Sequence, residues 1–158
     1  MSRLAELIEQ YLASPAELRK ATAGMSREHL LARPVAGKWS TLEVVCHLAD
    51  FDPILADRMK RTLAEDRPQL IGADEKRFAA ALAYNERDLE EELRIIDNTR
   101  SQMARILRTV SEDAMHRVGV HNERGPLTLE QLLTICNRHI PHHLQFVREK
   151  RRALGLPA

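Results

Sequence analysis

The chain has 158 residues, of which 30% are charged and 44% hydrophobic, and its formal net charge is +1 at pH 7. This length fits one domain, residues 1–158, which can bury a core without disulfide bonds. The mixed charges form no basic stripe and interrupt every apolar run, so the sequence excludes a typical nucleic-acid-binding protein and a membrane-spanning protein.

The N-terminal residues predict three short pieces of helix. An amphipathic pattern predicts a helix over about residues 2–13, and we expect Pro15 to open a second turn that ends near Ala23. Ser26 is a typical N-cap residue for a brief helical segment that ends at Arg33.

The next helix is long and carries a strong start signal. Ser40 and Glu43 have the spacing of a capping box, in which each side chain binds the other's backbone N–H. The helix is expected to reach about Leu63. Pro53 lies within it and predicts a bend just beyond His47.

The second half of the chain begins with a loop and a short helix. Asp74 can cap an alanine-rich helix, and Asn85 is expected to begin a long helix with apolar residues at alternating spacings of four and three, a pattern typical of bundle packing. Residues 111–127 predict an irregular loop with a short extended piece around residues 117–120.

A second capping box marks the final helix. Thr128 and Gln131 have the required spacing, and the helix is expected to reach about Leu154. Four long helices with long connections and short accessory helices predict an all-α four-helix bundle. The interior of such a bundle is a common place for a metal site.

Three histidines lie where a helical protein usually has apolar residues. His139 and His143 are four residues apart and share the inward face of the final helix, whereas His47 is in line with apolar residues of the second long helix. A buried imidazole costs free energy unless its nitrogens find partners, and a shared divalent metal ion would supply one. Hydrogen-bonded core histidines are the alternative from the residues alone.

Other side chains can join this site. His142 is only about 60° from His139 in helical projection. Cys136 shares the inward face, where a small buried hydrophobe is the alternative to a ligand. Asp50 is the candidate catalytic residue, as an imidazole acceptor or a base, with a solvated charge as the alternative. Arg100 interrupts the apolar stripe of the third long helix, and we expect it to extend towards solvent, with binding of a substrate anion as the alternative.

Two further regions have competing interpretations. Trp39 precedes the second long helix and is expected to fill the end of the bundle, with a cavity wall as the alternative. His121, Asn122, Glu123 and Arg124 lie in a loop long enough to carry active-site residues, but the sequence does not fix their geometry.

Three motifs together resemble a known family: WS-x-x-E-x-x-x-H at 39–47, GPLTLEQLL at 125–133 and H-I-P-H-H at 139–143. They resemble the DinB-like (YfiT-like) superfamily of metal-dependent enzymes, with a similarity that covers about residues 5–154. The resemblance implies a four-helix bundle and a divalent ion, often zinc or nickel, held by His47, His139 and His143. Some members transfer a low-molecular-weight thiol such as bacillithiol or mycothiol, others isomerise maleylpyruvate, and homodimers are common.

Two hypotheses follow. The first is a metal-dependent hydrolase or thiol transferase with a small-molecule substrate, in which water or a thiol takes the fourth position on the metal. The second is a non-enzymatic, stress-associated helical module with a structural or vacant metal site. Because Cys46 and Cys136 lie in apolar runs and no signal peptide is visible, we expect a reduced, cytoplasmic protein.

Overall fold

The computed structural model describes all 158 residues, which form six α-helices and three short strands. The four long helices α1, α3, α5 and α6 pack into the predicted four-helix bundle. None of the helices has both the length and the apolar character that crossing a bilayer requires. The bounds are α1 Arg3–Thr22, α2 Arg27–Leu31, α3 Thr41–Ala64, α4 Glu75–Ala81, α5 Leu89–Leu107 and α6 Leu129–Ala153, with β1 Gln69–Leu70, β2 Val118–His121 and β3 Gly125–Thr128.

The predicted capping boxes begin α3 and α6, the two helices that carry the histidines. The Ser40 backbone N–H donates to Glu43 Oε2 at 2.8 Å, and the Glu43 N–H donates to Ser40 Oγ at 3.1 Å. Thr128 and Gln131 form the same pair of bonds at 2.8 and 3.1 Å. Each pair satisfies two N–H groups that a helix start would otherwise leave without partners, and so fixes where the helix begins.

The expected break at Pro15 is wrong, because α1 runs through it without interruption. A proline inside a helix leaves the carbonyl four residues earlier, here that of Tyr11, without its usual N–H donor. Arg100 Nη1 donates to this carbonyl at 2.8 Å and replaces the missing bond. A contact between distant parts of the chain therefore makes a helix possible where the local sequence predicts a break.

The expectation that Arg100 extends to solvent is also wrong. Its side chain is 1% exposed, and its Nε and Nη2 each donate to an Asp52 carboxylate oxygen at 2.8 Å. It also donates to Ser14 Oγ at 3.1 Å and to the Cys136 carbonyl at 3.2 Å. The bundle has two apolar core clusters, one on each side of this network. Along the chain, a residue of each cluster flanks Ser14, Asp52 and Arg100. A buried polar layer therefore crosses the middle of the bundle.

The long helix α5 begins four residues later than predicted. Asp88 is the N-cap, and its Oδ1 accepts from the Glu91 N–H at 3.0 Å. Asn85 lies instead in a 3-10 turn formed by residues 84–86. A start at Asp88 places three glutamates in the first turn of α5, where the helix dipole stabilises negative charge. A start at Asn85 would place them further along the helix, where this stabilisation is weaker.

The segment predicted as a mostly irregular loop is more regular than expected. β2 pairs antiparallel with β3 and parallel with β1, which gives a three-stranded sheet in the order β1-β2-β3. Gly119 lets this sheet approach α3 closely, because a Cβ there would lie 2.6 Å from Leu70 Cδ1 and 2.7 Å from Thr62 Oγ1. The close packing positions His121, the last residue of β2, beside the bundle.

Candidate metal centre

The structure brings His47, His139 and His143 together from two helices. Their candidate ligand nitrogens all lie within 4.8 Å of one another, and the Nε2 atoms of His47 and His139 are 3.0 Å apart. His47 is 1% exposed, and the other two are half-buried. The geometry on which the metal hypothesis depends is therefore present.

Helical periodicity and an aromatic shell hold the cluster in place. His139 and His143 are one turn apart on α6, with ring centroids 5.0 Å apart. The His47 ring contacts Phe51 and Trp39, with centroid distances of 4.6 and 5.4 Å. These rings exclude water from one side of the imidazoles, so Trp39 lies against the cluster rather than only filling the end of the bundle.

Burial keeps the three imidazoles neutral. It lowers the pKa of His47 to about 4, with a further contribution from His139. Burial together with the neighbouring His143 lowers the pKa of His139 to about 3, and burial together with His47 lowers the pKa of His143 to about 3. At neutral pH each ring therefore keeps the lone pair that a metal ion needs.

The residues fit a divalent ion. Two nitrogens bound to one zinc at about 2.0–2.1 Å can be at most about 4.2 Å apart, so small ring rotations would bring all three donors into range. The only hydrogen bond among the rings joins His47 and His139, and the buried Nδ1 atoms of these two residues have no partner in the protein. Burying imidazole nitrogens without partners costs free energy, and a cation bound by all three rings would offset part of that cost.

A cavity of about 380 Å³ opens beside the cluster, a size suited to a small molecule. On α3 it is lined by His47, Phe51, Leu55 and Arg58, which share one helix face at spacings of four, four and three. This spacing could have identified Arg58 from the sequence as a residue on the histidine face.

Glu75, which sequence reasoning missed, is the carboxylate beside the cluster. It is the first residue of α4, and its Oε2 lies 3.8 Å from His47 Nε2. Its position depends on how α4 folds back over α3, for which the sequence gives no signal.

The other candidate residues lie outside the cluster. Both Asp50 oxygens bond Arg87, at 2.7 and 3.0 Å, and Asp50 does not line the cavity. Cys136 is fully buried, and burial raises the pKa of its thiol to about 12. His142 is exposed and contacts Gln145. No fourth protein side chain joins the three imidazoles in the cluster.

The loop residues proposed as active-site candidates do reach the cavity. His121 and Glu123 line it together with Arg124, on the wall formed by the sheet and its hairpin turn. Asn122 instead accepts a bond from the Gly72 N–H at 2.9 Å, which ties the turn to the segment before α4.

A sequence profile of the DinB superfamily matches residues 10–147. The chain belongs to the DinB superfamily. The resemblance seen in the three motifs is thus confirmed over most of the chain.

Two relatives are similar to this chain over most of its length. A protein of Oceanobacillus iheyensis named "Putative metal-dependent hydrolase" is 28% identical over 142 residues, which are 90% of this chain and 82% of the relative. YfiT of Bacillus subtilis has the same description and is 28% identical over 142 residues, which are 89% of this chain and 80% of YfiT.

Solved structures show the same fold. YfiT from Bacillus subtilis, described as having an unusual four-helix bundle topology, superimposes with a TM-score of 0.91 at 26% identity, covering 99% of this chain and 91% of YfiT. The mycothiol-dependent maleylpyruvate isomerase gives a TM-score of 0.71 at 14% identity, covering 91% of this chain and 60% of the isomerase. The second likeness concerns the fold alone.

Proposed function

We propose that His47, His139 and His143 bind one divalent metal ion, zinc or nickel, and that the protein is a metal-dependent enzyme acting on a small molecule. The observation that carries this proposal is the convergence of three neutral imidazoles within 4.8 Å beside a cavity of about 380 Å³. The metal-dependent hydrolase description of the superfamily relatives supports it.

The surroundings of the cluster favour a catalytic site over a structural one. Structural zinc sites are closed by four protein ligands, whereas catalytic sites keep one position for water or substrate. Neither Cys136 nor Asp50 supplies a fourth ligand, since the first is buried away from the cavity and the second is paired with Arg87. A bound divalent ion would supply Lewis acidity that lowers the pKa of water or of a thiol in its open position.

Glu75 is the residue best placed to accept a proton. Its carboxylate oxygen is 3.8 Å from His47 Nε2, and its side chain is 52% exposed. An exposed carboxylate at the mouth of the cavity can take a proton from a nucleophile beside the imidazoles and release it to solvent. We assign Glu75 this role in place of Asp50.

Hydrolysis is the leading reaction class, and a second observation favours thiol transfer as the other candidate. A second cavity of about 350 Å³ shares Glu75, His142 and His143 with the first. Two cavities that meet at one centre can hold two reactants, as transfer of a low-molecular-weight thiol to an electrophile requires. A cytoplasmic location, a homodimer and a single domain over residues 1–158 stay predictions from the sequence.

Metal analysis of tag-free protein tests the site. We expect about one equivalent of zinc or nickel per chain in the native protein and its loss in the His139→Ala, His143→Ala double variant. His142→Ala is the matched control, because it removes a neighbouring imidazole that lies outside the cluster, and it should retain the metal. Equal metal content in the native protein and the double variant would contradict the proposal.

A Glu75→Gln variant tests the proton acceptor. It should keep the metal and lose roughly 10²-fold or more in kcat, since general bases contribute about that factor. Parallel assays of ester or amide hydrolysis and of thiol consumption with a generic electrophile then separate the two reaction classes. An unchanged kcat in Glu75→Gln would remove this residue from the mechanism.

A further inference from the structure

His121 offers a hydrogen-bond donor that the protein itself does not use. Its side chain is buried in the cavity wall, and its Nδ1 accepts from the backbone N–H groups of Glu123 and Arg124 at 3.1 and 3.2 Å. An Nδ1 that accepts two bonds carries no proton, so the ring proton of the neutral imidazole is on Nε2. Burial lowers the pKa of His121, which favours this neutral form, and Nε2 has no bond within the protein.

Arg58 lies on the same cavity, and the nearby negative charges of Glu123 and Asp57 compensate its positive charge only in part. Its Nη2 donates to the Ile71 carbonyl at 2.8 Å, whereas its buried Nε has no partner, and no carboxylate forms an ion pair with it. Burial and the nearby charge of Arg124 lower its pKa. A partly buried guanidinium is costly unless an anion accompanies it.

The two groups are complementary to one kind of ligand. A guanidinium presents a planar set of donors that matches the oxygens of a carboxylate or a phosphate, and a neutral imidazole N–H can add one further bond. Both groups line the cavity that also holds His47, His139 and His143. A molecule with an oxyanion at one end could therefore place its other end beside the three imidazoles.

We propose that Arg58 and His121 form a subsite for an oxyanion group of the substrate, a carboxylate or a phosphate. The role of this subsite in catalysis rests on the proposed function, but oxyanion binding to Arg58 and His121 can be measured without turnover. It narrows the substrate class to small anionic molecules that carry a reactive group within reach of the metal centre.

Titration with succinate and, separately, with inorganic phosphate tests the subsite. The protein of residues 1–158 is used as purified and after metal removal, at a pH where the three clustered imidazoles are neutral. The Arg58 Nε–H resonance is followed by NMR. We expect this resonance to shift on binding. The probe with the lower dissociation constant identifies the oxyanion as carboxylate or phosphate.

Three variants make the test specific. Arg58→Gln should weaken binding by roughly tenfold or more, as expected for loss of a charge-assisted bond. His121→Asn should weaken it several-fold, because an asparagine Oδ1 can still accept from the turn while the Nε2–H donor is gone. Arg61→Gln removes an exposed arginine of the same helix, one that pairs with Asp57, and should bind like the native protein.

The outcomes separate this proposal from the metal proposal. Equal weakening by Arg58→Gln and Arg61→Gln, or no binding of either probe by the native protein, would overturn the subsite. Should Arg58→Gln fail to fold, His121→Asn decides, and native affinity in that variant would overturn it. Arg58-dependent binding by a native protein that neither contains nor takes up zinc or nickel would keep the subsite and contradict the proposed metal function.

Discussion

Acidification of the metal-free protein should reveal the cost of burying His139. Its pKa is lowered to about 3 in the folded protein, chiefly by burial, whereas an imidazole in the unfolded chain has a pKa near 6.5. Below this value the unfolded state binds more protons than the folded state. The free energy of unfolding is therefore undiminished by His139 above pH 6.5, and it falls progressively as the pH drops towards 3.

The size of this loss follows from the two pKa values. Between pH 7.5 and pH 5, His139 alone should lower the free energy of unfolding by about 2 kcal/mol. Urea unfolding of chelator-treated protein, followed by circular dichroism, measures it as the difference between the native chain and His139→Gln. The variant should lose about 2 kcal/mol less over this range. An equal loss in the two proteins would refute a buried, neutral His139.

Three further predictions concern stability, and chemical unfolding measures each of them. Arg100→Met should cost about 3–5 kcal/mol because it leaves Asp52 buried without a partner, and adding Asp52→Leu should recover much of this; a double variant no more stable than the single one would contradict the reasoning. Gly119→Ala should cost about 1–3 kcal/mol, because its Cβ would lie 2.6 Å from Leu70 Cδ1 and 2.7 Å from Thr62 Oγ1, and an unchanged midpoint would show that these two side chains can move aside. Thr128→Ala should cost about 1 kcal/mol by removing the N-cap of α6, whereas Thr128→Ser should be close to neutral.

Local signals predicted the long helices well and their interruptions poorly. The capping boxes at Ser40 and Thr128 fix helix starts through bonds within four residues, so the sequence suffices to find them. The continuity of α1 through Pro15 depends instead on Arg100, 85 residues further along the chain. The extended piece expected around residues 117–120 is β2, but β1, β3 and the strand pairing were missed, since strands of two to four residues carry too little alternation to stand out from a loop.

The sequence likewise predicted some residues of the candidate site and missed others. The histidines on α6 are one turn apart and could be grouped by spacing, and the family motifs linked them to His47 on α3. Glu75 and His121 reach the cavity only because α4 and the sheet fold against the bundle. No local sequence pattern predicts this packing. Asp50 was chosen for its nearness in sequence to His47, but a partner from the segment before α5, Arg87, holds its carboxylate.

The buried Arg100 pair also bears on the distance between the imidazoles. Asp52 follows His47 by five residues on α3, and Cys136, whose carbonyl bonds the same guanidinium, precedes His139 by three residues on α6. Sliding either helix by one turn, about 5.4 Å, would break these bonds and separate nitrogens that now lie 3.0 Å apart. Arg100, which lies outside the cavity, thus sets the axial alignment of the two histidine-bearing helices. Other residues that line the cavity can therefore be substituted without changing the distance between the histidine nitrogens.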